Sequence, residues 1–260
     1  MEYPASHAVI RHIEELSLNA WPCLETAFYD GWVLRFAAGY TRRANSVNPL
    51  YPSSLDPVQK LGYCQRAYRD RGLPAVFKLT PASEDLDAFL GEHGYGREAP
   101  TSVQIVGLSE VPQPRRDGVE LLEQPNRAWF AAYCALNRDV RRHFLTMTQM
   151  LERLAVPACF VSFKQDGETV ALGMAVAERG YVGLFDIVTR QTVRNQGIGR
   201  DVVLHLLQWG KRQGAEHAYL QVMRDNAPAL HLYQKLGFRE LYGYWFRVRA
   251  SGTGRRRPLS

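Results

Sequence analysis

Residues 189–203 read TRQTVRNQGIGRDVV. Gly197 and Gly199 flank Ile198, Arg194 stands three residues before the first glycine, and a long apolar-periodic stretch follows. The preceding run, LFDIVT at 184–189, is strand-like, so the glycines fall where a strand ends and a helix opens. Backbone N–H groups near Gly197, Ile198 and Gly199 then lack intrahelical acceptors. Glycine lets the backbone close on an anion with no Cβ in the way, and the helix dipole adds roughly half a positive charge there. Arg194 and Arg200 offer charge-assisted contacts on either side. The stretch reads as a phosphate-binding turn.

Spacing narrows the carrier of that phosphate. A dinucleotide G-x-G-x-x-G would need a third glycine where Val202 stands. A Walker A loop needs Gly-Lys followed by Ser or Thr at the helix start, whereas Gly210-Lys211 precedes Arg212 and falls late in the helix. What remains, Arg194-x-x-Gly197-x-Gly199, resembles the pyrophosphate-binding signature of the GNAT superfamily of acyl-CoA-dependent N-acyltransferases. The stretch RDNAPALHLYQKLGFRE at 224–240 resembles the superfamily's second motif: an asparagine opening a helix, a tyrosine within it, and Gly-Phe at its end. The two motifs stand in the right order, and the resemblance extends over residues 118–250.

The resemblance implies a site. Residues Arg194, Asn195, Gln196, Gly197, Ile198, Gly199 and Arg200 would cradle the pyrophosphate of acetyl-CoA, the cosubstrate. Ile187, Val188 and Thr189 would lie along the pantetheine arm, where the superfamily's strand splays from its neighbour, and the Asn226 amide would bond that arm while also capping its helix. Tyr233 is the expected general acid: direct attack of an amine expels a thiolate whose conjugate acid titrates near 8.5, against about 10 for tyrosine. Asp186 is the candidate base, through water, although a carboxylate held by neighbouring backbone or arginine is an equal reading. A lysine-type amine is neutral in only about one molecule in 2,500 at pH 7, so it strongly needs such a base.

Working outward, the chain reads as mixed strands and helices of the α/β class, an α+β mixed sheet. The N-terminal half offers a helix at 6–17, a hairpin around Asp30-Gly31, a helix ending at Gly72, a strand AVFKL, a helix at 83–94 and a strand at 101–108. SEVPQPRRDG, at 109–118, is linker-like. The second half repeats the order, and Gly94-Tyr95 answers Gly237-Phe238, as an internal duplication would arrange. At the place of the phosphate turn the first half has YPSSLDPVQK (51–60), with no glycine, and Leu90 at the tyrosine's position. The expectation is tandem GNAT-like domains whose N-terminal copy lacks the pyrophosphate loop: 1–108 degenerate, 109–117 linker, 118–250 catalytic, 251–260 a disordered basic tail.

Composition fits a globular protein. With 46% hydrophobic and 22% charged residues the 260-residue chain can bury one large core or two ordinary ones. The tail arginines Arg255, Arg256 and Arg257 account for half of the net charge of +6, and no basic stripe interleaved with aromatics suggests nucleic acid. No membrane span and no basic n-region with apolar core is apparent, and the cytoplasm is the expected location. Cys23, Cys64, Cys134 and Cys159 are dispersed, and His205, His217 and His231 have no metal spacing, so no metal is expected. Arg138, Arg141 and Arg142 are candidate acceptor contacts or simply solvated. Arg42, Arg43 and Asn45, with Trp21, Trp32, Tyr244 and Trp245, form a second candidate cluster whose default is packing. The expected partner is a small-molecule or peptide amine, the protein being a monomer or homodimer. A silent CoA-binding sensor and a mycothiol-synthase-like tandem acyltransferase are the rival readings.

Overall fold

The computed structural model describes residues 5–249, except the side chains of Arg138 and Asp139, and the tail expected at 251–260 lies outside the described residues. By their contacts the described residues divide into two units, 5–102 with 241–249, and 103–240.

The first unit opens with α1 (His7–Ala20), capped by Ser6, whose hydroxyl accepts from the Val9 amide at 3.3 Å. Its apolar face, Ile10, Ile13, Leu16 and Ala20, recurs at helical spacing and is buried. β1 (Glu25–Tyr29) and β2 (Trp32–Phe36) form the hairpin expected at Asp30-Gly31, where φ values of 41° and 80° suit the primed two-residue turn that Asp-Gly favours. Then come β3 (Val47–Pro49), α2 (Pro57–Arg69), β4 (Val76–Leu79), α3 (Glu84–Glu92) and β5 (Tyr95–Gly107). β3 is antiparallel to β2 and parallel to β4. Leu34, Val47, Leu61, Phe77, Leu79 and Leu90 build the core beneath α2 and α3.

The second unit contains β6 (Val119–Leu122), α4 (Arg127–Leu136), α5 (Phe144–Leu151), β7 (Ala158–Gln165), β8 (Glu168–Glu178), β9 (Tyr181–Thr189), α6 (Ile198–Arg212), β10 (His217–Met223) and α7 (Ala227–Lys235). β6 to β9 form an antiparallel meander and β10 joins β9 in parallel. Val202, Val203, Leu206 and Leu207 of α6 are at most 1% exposed, so truncating either leucine to alanine would cost about 2–5 kcal/mol. Gly210 lets this helix settle on β9: a Cβ there would lie 2.6 Å from Val182 Cγ1.

Two features differ from the division at 109–117 read from sequence. The last strand, β11 (Arg239–Arg249), pairs antiparallel with β4, from Trp245↔Leu79 to Val248↔Val76. Its residues from Leu241 onward group with the first unit, and residues 103–107 of β5, next to β10, group with the second. Arg247 also holds Asp87 of α3 through two bonds of 2.7 and 2.8 Å, and Trp245 Nε1 donates to the same carboxylate at 2.5 Å. The segment 109–118 is also pinned along α6. Gln208 donates to the carbonyls of Val111 and Pro112, Lys211 to that of Ser109, and His205 Nε2 to that of Arg116 at 2.8 Å.

Candidate active site

The loop between β9 and α6 turns on two left-handed residues. Asn195 and Gly197 both have positive φ, 63° and 82°, and Gly197 is the N-cap of α6. Left-handed residues alternating with ordinary ones curl successive N–H groups toward one point. Arg194 Nε donates to the Thr189 carbonyl at 3.3 Å, tying the loop back to the strand end. Ile198 points into the core, 3% exposed, so only its backbone faces the loop. A Cβ on Gly199 would stand 3.0 Å from Thr189 Oγ1, which leaves little room for any residue but glycine.

Beside the loop lies a cleft of about 320 Å³ lined by Arg115, Arg116, Gln196, Gly197, Arg200 and Asp201. Arg200 Nη1 is buried there without a hydrogen bond among the described residues, 3.9 Å from Asp201 Oδ1. Asp201, 1% exposed, accepts from the Arg115 amide at 3.0 Å and from Arg116 Nη1 at 2.7 Å. Three arginines against one carboxylate, at a helix N-terminus, leave the cleft positive. A positive lining at a helix N-terminus is chemistry that suits an anion.

The strand feeding this loop is irregular at its C-terminal end. β9 pairs with β10 from Tyr181↔His217 to Leu184↔Leu220, the full extent of the pairing among the described residues, although β9 continues to Thr189. At the parting point Asp186 has φ 51°, and the β8 register jumps from Met174↔Phe185 to Leu172↔Val188. This is a bulge of one extra residue, which bends β9 away from β10. Gly173 accommodates it, since a Cβ there would meet Ile187 Cδ1 at 2.5 Å. Asp186, Ile187, Val188 and Thr189 are all half-buried, in contrast to the fully buried Val182–Phe185.

Asn226 caps α7, its Oδ1 accepting from the Ala229 amide at 3.3 Å, which leaves the side-chain amide donors for another partner. Leu232 of the same helix reaches to 4.0 Å from the position of a Gly199 Cβ, bringing α7 beside the start of α6. Tyr233 is 8% exposed and packs edge-on to Phe238 at 5.7 Å. No protein group hydrogen-bonds its hydroxyl among the described residues, and burial pushes its pKa up to about 12.

The place equivalent to the phosphate loop in the first unit, between β3 and α2, is already filled. Asp30, from the β1–β2 turn, accepts from the amides of Leu55 at 2.8 Å and Ser54 at 3.0 Å, from the Ser54 hydroxyl, and from Lys60 Nζ at 3.0 Å. The Leu55 amide foremost, then Lys60 and Ser54, holds this carboxyl well below the usual carboxylate range despite a contrary desolvation. Lys60 itself is 1% exposed and sits 4.0 Å over the Trp32 ring.

The candidates Arg42, Arg43 and Asn45 make contacts within the first unit. Asn45 braces the loop 37–41 through bonds to Ala37, Gly39, Tyr40 and Thr41, Arg42 pairs with Glu98 at 2.6 Å, and Arg43 stacks 4.8 Å over Trp21. Trp21, Trp32, Tyr244 and Trp245 are buried. Arg141 and Arg142 face solvent from the 3₁₀ turn Arg138–His143. Cys64 and Cys159 are buried, their thiols pushed up to about 12 by desolvation, so neither is a nucleophile at neutral pH. Sequence reasoning missed Arg115, Arg116 and Asp201. The signal was an aspartate one residue after an arginine in an anion-binding first turn, a charge that needs a cation from elsewhere.

A family model described as "Probable histone acetyltransferase Rv0428c C-terminal" matches residues 7–246. The "Uncharacterized N-acetyltransferase YobR" of Bacillus subtilis (strain 168) is 30% identical over 249 residues, covering 92% of this chain and 98% of that protein. Among solved structures, a GCN5-related N-acetyltransferase from Kribbella flavida matches with a TM-score of 0.67 at 17% identity, over 95% of this chain and 97% of that one. A tandem GNAT protein from the clavulanic acid biosynthesis pathway matches with a TM-score of 0.64 at 13% identity, over 96% and 91%.

Proposed function

The chain belongs to the Rv0428c C-terminal acetyltransferase family, of GNAT type, and from that premise we propose that it moves an acetyl group from acetyl-CoA to a primary amine by direct attack, on residues of the second half of the chain. The observation that carries this reading is the turn at Arg194–Gly199, with Asn195 and Gly197 left-handed at the N-terminus of α6 and arginines on both sides. In this reading Asn195, Gln196, Gly197 and Gly199 give backbone N–H groups to the diphosphate and Arg200 its guanidinium. The parted backbone of Ile187, Val188 and Thr189, with the Asn226 amide, orients the pantetheine arm.

The acceptor nitrogen attacks the thioester carbonyl, forming the C–N bond as the C–S bond breaks with its electron pair going to sulfur. The nitrogen's surplus proton leaves through water to Asp186, at the bulge of β9. Tyr233, fully protonated because of its raised pKa, directs its hydroxyl hydrogen to the departing thiolate. The first half is then a copy that binds no CoA, because the Asp30 carboxylate already uses the donors of its loop. The test is an acetyl-CoA turnover screen over amino acids, polyamines, aminoglycosides and peptides, read as thiol release. A protein that neither binds acetyl-CoA nor releases thiol with any acceptor would overturn the reading.

A further inference from the structure

Arg116 lies outside both motifs, in the segment joining the halves of the sequence, yet its guanidinium reaches the cradle. Nη1 donates to Asp201 Oδ2 at 2.7 Å and Nη2 donates to the Gln196 carbonyl at 2.7 Å. A Cβ on Gly197 would stand 3.2 Å from Nη1, so the guanidinium fills the space beside that glycine. The Arg116 backbone is held in turn, its carbonyl accepting from His205 and the neighbouring Arg115 amide donating to Asp201. Every contact in this chain of support ends on α6 or on the loop that opens it.

We propose that Arg116 is a positioning residue for the acyl-CoA diphosphate, clamping the Gln196–Gly197 peptide by its carbonyl. In a trans peptide the N–H lies opposite the C=O, and the described residues contain no cis bond. Holding the Gln196 oxygen toward Arg116 therefore turns the Gly197 N–H away from it, in a loop whose positive-φ residues would otherwise be free to rotate that peptide. The same clamp engages Asp201, the carboxylate that would compete with an anionic ligand, through a fixed pair at 2.7 Å. Preorganising donors in this way lowers the entropic cost of binding. The inference rests on the acyl-CoA reading given above.

The experiment is calorimetric titration of the full chain with CoA and, separately, with inorganic pyrophosphate, for wild type, Arg116→Ala and Arg116→Lys. Arg116→Ala is expected to weaken both ligands by the same factor, roughly 10- to 100-fold, the scale of one lost hydrogen bond to a charged group. Arg116→Lys should recover only part of the loss, because an ammonium lacks the fork that spans two acceptors. It also supplies the comparison if the alanine variant does not fold. Equal affinities in wild type and both folded variants would overturn the clamp, even if the melting temperature falls. A loss confined to CoA, with pyrophosphate unaffected, would overturn it as well by moving Arg116 to another part of the ligand. A wild type that binds neither probe would instead overturn the acyl-CoA reading itself.

Discussion

Tyr233→Phe is the substitution that should separate chemistry from binding and folding. The tyrosine hydroxyl titrates near 12 because of burial, whereas a thiol leaving group titrates near 8.5, so complete proton transfer is uphill by about 3.5 units, or about 5 kcal/mol. That gap favours a strong hydrogen bond to the developing thiolate over an early transfer, and such a bond to a charged partner is worth about 1.5–3 kcal/mol. The expected loss in turnover is therefore about 10²-fold, the low end of the range for general acids. Stability should barely change, since phenylalanine keeps the packing on Phe238 and the hydroxyl has no protein partner to lose. The assay is thiol release from acetyl-CoA, with an acceptor or as slow hydrolysis, alongside calorimetric CoA affinity and a melting curve. The wild-type pH profile should show no basic limb below about pH 11, because a group of pKa near 12 is still protonated there. Unchanged turnover in the variant would leave Tyr233 as packing alone, and a matching loss of CoA affinity would make it a binding residue.

Gly197→Glu places a Cβ at φ 82°, beside Arg116, and a carboxylate where a diphosphate is expected, so the rise in melting temperature given by acetyl-CoA should vanish; a preserved shift would move the site elsewhere. Asp30→Asn tests the filled loop of the first half. The folded carboxyl titrates below its ordinary 3.8, so its contribution to stability is present above about pH 4 and lost as pH falls through the lower folded value. The variant's melting temperature should accordingly lie below wild type at pH 6 and converge on it toward pH 2, while CoA stoichiometry in wild type stays at one per chain; parallel curves or two sites would refute this. Glu14 binds buried Lys78 at 2.5 Å and the Tyr242 hydroxyl at 2.7 Å, so Glu14→Gln, which leaves that ammonium unpaired, should cost about 3–5 kcal/mol in denaturant unfolding. Pairing Glu14→Leu with Lys78→Met should restore much of it, and a double variant no better than the single would show that the loss does not come from the unpaired ammonium.

Local signals carried the element order. Asp-Gly at 30–31, the Asn226 cap and the 3.6-residue periodicity of α6 each act within a few residues, so these elements were legible. The cradle was legible for the same reason, since its glycines and the helix start are contiguous. What sequence could not supply was partnership at a distance. β11 follows α7 immediately, yet nothing in its pattern of alternating residues names β4 as its neighbour, or Asp87 of α3, about 160 positions away, as the partner of Trp245 and Arg247. Arg116 was hidden likewise: a proline-flanked basic pair reads as a solvated connection until Asp201 is seen to hold it.

The two loops at equivalent places in the halves show what separates a filled cradle from an open one. Both stand between a strand and a helix N-terminus, and both offer backbone donors and a cation. Before α2, the β1–β2 turn presses against the loop so closely that a Cβ on Gly31 would stand 2.5 Å from the Tyr51 carbonyl oxygen, and this delivers the Asp30 carboxylate to the Ser54 and Leu55 amides. Before α6 there is also a buried carboxylate, Asp201, within the first helical turn, but Arg116 and the Arg115 amide occupy its oxygens. Both halves thus carry the same electrostatic ingredients, with one carboxylate serving as the anion and the other turned into a support for the cation beside it. Under the proposed function, the first half binds no CoA less because of its missing glycines than because of which groups its carboxylate engages, and the cleft of the second half stays positive because Asp201 is neutralised from a segment that neither motif contains.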